Sequence, residues 1–262
     1  MTQPTPVRIG TSDLAVAPLA LGGNVFGWTA DRDTSFEVLD AFVAGGGNFI
    51  DTADGSSAWE PGNTGGESET IIGEWLGARG GRDRVTIATK VSSHPEFSGL
   101  AATNVLAAAD ASLGRLGTDH IDLYYAHFDD ADTPLAETVA AFSSLVDAGK
   151  VRAIGVSNYT ADRVAEWFRI ARDGGYHLPV ALQPHYNLVE RGFETNGLRE
   201  VAEAEGLSVI PYFSLAEGFL AGKYRSDADV GAPGASARAG DAAVYLNDRG
   251  RTVLAELDRV AA

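Results

Sequence analysis

The stretch VRAIGVSNYTADRVAEWFRIARDGG, residues 151–175, decides how this chain is read. It opens with a short apolar run, Val151–Val156, suited to a strand buried on both faces. Two small polar residues, Ser157 and Asn158, end the run. An amphipathic stretch, ADRVAEWFRIARDGG, then runs to a Gly-Gly pair, an ending that helix carboxyl termini prefer. The same unit recurs along the chain. Strand candidates are Leu19–Gly22, Asn48–Asp51, Val85–Lys90, Ile121–Tyr125, Val151–Val156, Val180–Gln183 and Leu207–Tyr212. Between them lie stretches of helical period: TSFEVLDAFVAGG with Phe36, Leu39 and Val43 on one face, then ESETIIGEWL, NVLAAADASLGRL and ETVAAFSSLVDAGK. The spacing, roughly 27–37 residues, is that of one βα unit.

Strands joined by helices predict an α/β fold with a parallel sheet covered by helices. A doubly wound sheet and a closed βα barrel share the pattern. The nearest approach to a dinucleotide fingerprint, LGGNVFG, lacks the G-x-G-x-x-G spacing, and the alternation runs on without a linker. Both facts favour a barrel, in a single domain over residues 1–262. A barrel needs eight strands and seven are visible. The chain ends in the helical RGRTVLAELDRVAA, so the sequence is expected to be a truncated form of a longer protein. Strands one and seven would then show unpaired edges. The segment from residue 225 to 245, rich in Gly and Ala, is read as a long mobile loop.

Bulk properties exclude several classes. The 262 residues are 45% hydrophobic and 21% charged, ordinary for a globular protein. A net charge of −16 argues against a nucleic-acid partner, because phosphate recognition relies on clustered Lys and Arg. With zero cysteines there is no disulfide, thiolate metal site or cysteine nucleophile. The start, MTQPTPVRIG, does not resemble a signal peptide, and no apolar run approaches the ~18 residues of a membrane helix. The protein is therefore read as cytoplasmic.

Side chains at the carboxyl ends of barrel strands converge on one mouth. Here nearly every strand ends in a polar group: Asp51, Lys90, His127 by way of Ala126, Ser157 with Asn158, Gln183, and Tyr212. Each has a bland explanation alone, as a turn residue, a solvated terminus or a structural histidine. Six such groups facing one opening do not. Asp51, Lys90 and His127 belong to adjacent strands, which predicts contact. A lysine drawn into the mouth needs a carboxylate beside it, and His127 is the group most easily protonated near neutral pH. Such a cluster suits proton handling at a polarised carbonyl.

These residues sit in a recognisable set. LALGGNVFG, FIDTAD, GGESETIIGEWL, TIATKV, RLGTDHIDLYYAHFDD, GKVRAIGVSNY, ALQPHYNLVER and VIPYFSLAEGFLAGKYR occur in order from about residue 7 to the end. The chain thereby resembles the aldo-keto reductases, in particular the bacterial branch similar to the potassium-channel beta subunits. The resemblance implies a (β/α)8 TIM barrel and hydride transfer from NADPH to an aldehyde or ketone, or the reverse oxidation of an alcohol. It places Asp51, Lys90 and His127 on three of four catalytic positions. It assigns Gly23, Asn24, Asp51, Ser157, Asn158 and Gln183 to the cofactor, the last three at the nicotinamide carboxamide. Tyr212 falls where an aromatic ring stacks on the nicotinamide, and Phe213, Ser214, Leu215, Gly218, Leu220, Lys223 and Arg225 follow the loop that wraps the pyrophosphate. Lys223 and Arg225 are also a closely spaced basic pair, which suits a diphosphate. Trp28, Trp59 and His127 are expected to border a small carbonyl or sugar-like substrate. No metal is expected: H-x-H and H-E-x-x-H are absent, and HFDD is a poor ligand set. The oligomeric state is left open.

One departure concerns chemistry. In the family a tyrosine five residues after the aspartate donates the proton, and that position here is Ser56. A phenol has a pKa near ~10 that a neighbouring ammonium lowers, whereas an alkyl hydroxyl is a far weaker acid. Gly55 is expected to add slack to the same loop. The expected activity is therefore a weakened one, with a cofactor-binding regulatory subunit as the alternative.

Overall fold

The computed structural model describes residues 5–261. Its centre is a parallel sheet of seven strands: β1 (Ala20–Gly22), β2 (Phe49–Asp51), β3 (Thr86–Val91), β4 (Ile121–Ala126), β5 (Val151–Ser157), β6 (Pro179–Gln183) and β7 (Ser208–Val209). They lie side by side in chain order. Parallel neighbours require a crossover, and helices supply it. These are α1 (Arg32–Ala44), α2 (Glu67–Arg79), α3 (Ala102–Leu116), α4 (Leu135–Asp147), α5 (Ala161–Gly174) and α6 (Leu198–Glu205), with α7 (Asp248–Ala261) at the end. The sheet curls, so the fold is α/β of the (β/α)8 barrel class. Among the described residues there is no eighth strand, and β1 and β7 are the two sheet edges. No helix among them is long and apolar enough to cross a membrane.

Local chemistry sets the ends of the helices. Asp31 accepts a hydrogen bond from the Thr34 N–H at the start of α1, and Thr160 does the same for Arg163 at the start of α5. Gly175 closes α5 at φ 67°, a left-handed conformation that a glycine adopts without strain.

The two-residue period of the strands builds two apolar layers. Outward side chains such as Ile50, Ile87, Tyr124 and Ile154 pack on helix residues such as Leu39, Ile72, Phe142 and Trp167. Inward side chains, among them Phe49, Ala88, Leu123, Tyr125 and Ala181, fill the barrel interior. On β3 the alternation runs Ile87 out, Ala88 in, Thr89 out to Glu69 on α2, and Lys90 in. The inward row thus begins apolar and finishes polar at the carboxyl end.

Four elements depart from the sequence reading. An antiparallel hairpin, Val7–Arg8 with Ala15–Val16, closes the amino end of the barrel and adds Ile9, Leu14 and Val16 to the inner layer. Its strands are too short to show alternation. A second small hairpin, Ser93–His94 with Phe97–Ser98, follows β3 directly. Strand seven, expected over Leu207–Tyr212, forms a ladder only at Ser208–Val209. Pro211 has no N–H, yet the Ile210 and Tyr212 N–H groups still reach Leu182 and Pro184 carbonyls on the β6 side. Residues 225–245, expected as one long loop, contain one-turn helices at Asp227–Val230 and Ala239–Ala242. Buried Ala239 and Ala242 anchor the second, and small alanines give no periodic signal.

Tyr125 lies against Gly155 on the neighbouring strand. A Cβ at 155 would stand 2.4 Å from two carbons of the Tyr125 ring. Gly155→Ala is expected to lower stability by about 1–3 kcal/mol through overpacking, read by urea unfolding. An unchanged midpoint would mean that the ring has room to move aside.

Candidate active site

Lys90 reaches the barrel mouth from β3 and is almost wholly buried. Its Nζ donates to Asp51 Oδ2 at 2.7 Å and to the Thr52 carbonyl at 2.6 Å. A buried ammonium is tolerable only when paired in this way. The other carboxylate oxygen, Asp51 Oδ1, accepts from Gln183 Nε2 on β6 at 3.3 Å. Asp51 therefore ties β2 to its neighbour and to a strand across the barrel.

His127 follows β4, and its backbone N–H bonds to the Val91 carbonyl at 3.0 Å. Burial, with a smaller contribution from the Lys90 charge, drives its imidazole pKa down to about 3. The ring is neutral across the physiological range. Its Nδ1 lies 3.1 Å from Ser93 Oγ. The His127 carbonyl accepts from Asn158 Nδ2 at 2.9 Å, and Asn158 Nδ2 also reaches Ser157 Oγ at 3.1 Å. Ser157 Oγ donates to the Gln183 carbonyl at 2.8 Å, and Tyr212 Oη donates to Asn158 Oδ1 at 2.8 Å. Asp51, Lys90, Gln183, Ser157, Asn158, His127 and Tyr212 are thus one connected group at the mouth. Tyr212 stacks on His185, with centroids 5.1 Å apart, and meets Phe213 edge-on at 5.0 Å.

Gly23 and Asn24 lie beside the same mouth. The Gly23 N–H donates to the Asp51 carbonyl at 2.7 Å, and the Asn24 carbonyl accepts from Ser57 Oγ at 3.3 Å. Ser56 is buried, and its hydroxyl makes no hydrogen bond with the described residues. Trp28 and Trp59 form an edge-to-face pair at 5.5 Å, with Trp59 half exposed. Beyond Tyr212 the backbone is strained: Phe213, Ala216 and Glu217 all take positive φ, at 54°, 47° and 57°. Ser214 bonds back to the Pro211 carbonyl, Leu215 is exposed, and Leu220 packs on the cluster around Phe219 and Leu254. Lys223 forms no ion pair among the described residues, whereas Arg225 grips Asp258 of α7 with two hydrogen bonds.

Three groups at the site escaped the sequence reading. Ser93 is one. Arg238, from the segment read as a loop, sets its guanidinium 5.3 Å from the Trp28 ring and 5.6 Å from Phe213. Asp54 is the third: it is buried, and neither carboxylate oxygen makes a hydrogen bond of good geometry. Burial and the adjacent Glu69 push its pKa up to about 8, against the opposing pull of the Gly55 N–H, Arg115 and Lys90. No sequence signal separates Asp54 from an ordinary turn aspartate.

The profile of the aldo/keto reductase family matches residues 18–262. The chain belongs to the aldo/keto reductase family. It is 34% identical over 225 residues to norsolorinic acid reductase B of Dothistroma septosporum, covering 79% of this chain and 55% of that protein. It is 35% identical over 247 residues to protein Tas of Escherichia coli, covering 84% and 71%, and 35% identical over 220 residues to aldo-keto reductase YhdN of Bacillus subtilis, covering 82% and 62%. The chain thus spans about half the length of the norsolorinic acid reductases it matches. The family comprises oxidoreductases of carbonyl compounds built on the (β/α)8 barrel.

Asp54 makes stability depend on pH. The folded chain holds this proton more tightly than the unfolded chain. Its contribution to stability is therefore full below the ordinary carboxylate range and falls as pH rises toward 8. Asp54→Asn is expected to remove that fall, on the order of a few kcal/mol. Urea unfolding at pH 5 and pH 9 checks it, and parallel profiles for the two proteins would refute it.

Proposed function

We propose that this chain reduces a small aldehyde or ketone with NADPH, or runs the reverse oxidation, at a rate lowered by Ser56. The observation that carries the reading is the buried Lys90–Asp51 pair with neutral His127 at the same mouth. Lys90 holds a positive charge beside the place where a carbonyl oxygen gains electron density. Asp51 keeps that ammonium in position. His127 offers a neutral N–H within the same pocket. When bound, the nicotinamide supplies the hydride.

The donor set suits that cofactor. Ser157, Asn158 and Gln183 bring hydroxyl and amide groups together, matching a carboxamide that both donates and accepts. The Tyr212 ring beside them offers a flat face of the right size. Lys223, joined by Arg225 if it releases Asp258, would hold the diphosphate. NADPH rather than NADH rests on family resemblance, and so does the reductase direction, which the names of norsolorinic acid reductase B and aldo-keto reductase YhdN carry. The Trp28–Trp59 pair supports a substrate with a flat or sugar-like face.

Ser56 favours a second reading, a nucleotide-binding regulatory subunit in which occupancy matters more than turnover. A general acid contributes typically ~10²–10⁴-fold, and the alkyl hydroxyl forfeits much of it. Ser56→Tyr should therefore raise the NADPH-dependent rate about a hundredfold or more on a panel of aldehydes and ketones. Nucleotide binding, followed by cofactor fluorescence, should stay within a factor of about two or three. Binding without turnover in both proteins would favour the regulatory subunit, and absence of binding would refute both readings.

A further inference from the structure

The structure assigns a function to Ser93: its hydroxyl fixes the His127 tautomer and relays a solvent proton to the ring, so that His127 replaces the missing phenol at position 56. This inference rests on the carbonyl-reduction reading above. Ser93 is a positioning residue in it, acting through His127.

Three separate observations place Ser93 in that role. The first is the hydrogen bond, 3.1 Å from Ser93 Oγ to His127 Nδ1. A neutral imidazole has one N–H and one acceptor nitrogen. When Ser93 donates to Nδ1, the proton of the ring sits on Nε2. His127 follows Ala126, whose side chain belongs to the outer layer, so the alternation of β4 carries the His127 side chain inward, and its Nε2 makes no hydrogen bond with the described residues. A carbonyl oxygen is an acceptor, so a site that reduces it must present N–H there.

The second observation is strain. Ser92 holds φ at 127°, a conformation that a residue with a side chain rarely adopts. It turns the chain sharply after β3 and starts the Ser93–His94 hairpin. Ser92 Oγ accepts from the Phe128 N–H at 3.2 Å, next to the Ser93–His127 bond. Phe128 in turn stacks on the His127 ring, with centroids 4.5 Å apart. Two serines from one strained turn thus clasp two successive residues after β4.

The third is the fit of the loop that carries Ser56. A Cβ on Gly55 would lie 2.8 Å from Ser93 Oγ and 2.9 Å from the Ser93 carbonyl oxygen. Only a glycine lets the loop lie against Ser93 without moving it. The residue next to the lost phenol is thereby fitted to the hydroxyl that backs the histidine. Ser93 itself is exposed to solvent, as a proton relay must be.

The step balances without an imidazolium. As hydride arrives at the carbonyl carbon, Nε2–H gives its proton to the carbonyl oxygen. Nδ1 takes the Ser93 Oγ proton, and Oγ takes one from solvent. The reductant is a reduced nicotinamide, and the proton consumed comes from water. The ring returns to the Nε2–H tautomer by exchange with solvent. A ring held neutral by burial suits this route, because no charged form is required.

The test uses the whole chain labelled with ¹⁵N-histidine. His127 resonances, assigned with a His127→Gln control, report which nitrogen carries the proton, with no cofactor present. The wild-type chain is expected to show the Nε2–H tautomer. Ser93→Ala should mix the tautomers, as should Gly55→Ala, which keeps the hydroxyl but displaces it, and Ser93→Thr should restore the wild-type pattern. In NADPH-dependent turnover, Ser93→Ala should lower kcat about 10–100-fold with little change in KM, and Ser93→Thr should recover most of it. A wild-type ring protonated at Nδ1, with Nε2 accepting from Lys90, would overturn the proposal. So would a tautomer indifferent to Ser93→Ala, or an unchanged kcat in an active protein. A protein that turns over no carbonyl would overturn the functional reading, and the relay with it. The tautomer spectra would still decide the hydrogen bond itself.

Discussion

The contact between Lys90 and Asp51 constrains everything around it. An ammonium sealed inside a barrel is costly to keep charged, and one carboxylate at 2.7 Å with a carbonyl at 2.6 Å offsets that cost. The pair exists only if β2 and β3 are parallel and in register, with Asp51 opposite Ala88 two residues before Lys90. It also requires that side chains alternate in and out along both strands. Slipping either strand by one residue would turn one partner outward onto the helices. The inner apolar layer lies below the pair and is closed at its amino end by the hairpin around Ile9 and Leu14.

That constraint explains which parts of the molecule could be read from the residues. Asp51, Lys90, Gln183 and Ser157 were legible because each ends an apolar run, and alternation gives such a residue a direction. His127, Asn158 and Tyr212 lie one to three residues beyond their strands, and were legible only by continuing the same rule. Ser93, Asp54 and Arg238 gave no such signal. Ser93 depends on a φ of 127° at Ser92, which no composition rule anticipates. Asp54 owes its raised pKa to burial in the folded chain and to Glu69, which α2 brings beside it. Arg238 sits in an alanine-rich stretch with no period at all, and finds Trp28 and Phe213 only through the path of the chain. Periodicity reports the faces of regular elements; it says nothing about where irregular backbone leads.

The loop after β2 shows the same distinction. Gly55 suggests slack, yet the structure ties this loop down. Ser57, at φ 69°, donates to the Phe26 carbonyl at 2.9 Å. Asn63 Nδ2 bridges the Ser57 and Gly27 carbonyls, each at 2.9 Å. The Asp54 N–H holds the Lys90 carbonyl at 3.1 Å. The loop is therefore fastened at three places around Ser56, and Gly55 serves close approach to Ser93 more than flexibility. Ser56 thus sits in a loop that is held in place rather than slack.

The electrostatics of the mouth follow from the same starting contact. Lys90 and Asp51 cancel each other, His127 is neutral, and Gln183, Asn158 and Ser157 carry no charge, so in a protein of net charge −16 this connected group carries almost none, and the Arg238 guanidinium stands nearby against Trp28 and Phe213. Such a pocket neither repels an uncharged carbonyl nor holds it by charge, and the local dipoles decide orientation. Lys90 also shapes His127 directly, because a positive charge beside the ring disfavours a second one. A neutral imidazole that gives up one proton stays neutral if it takes another on its far nitrogen. The partner on its far nitrogen then matters as much as the group it faces, and in this chain that partner is a serine hydroxyl open to water.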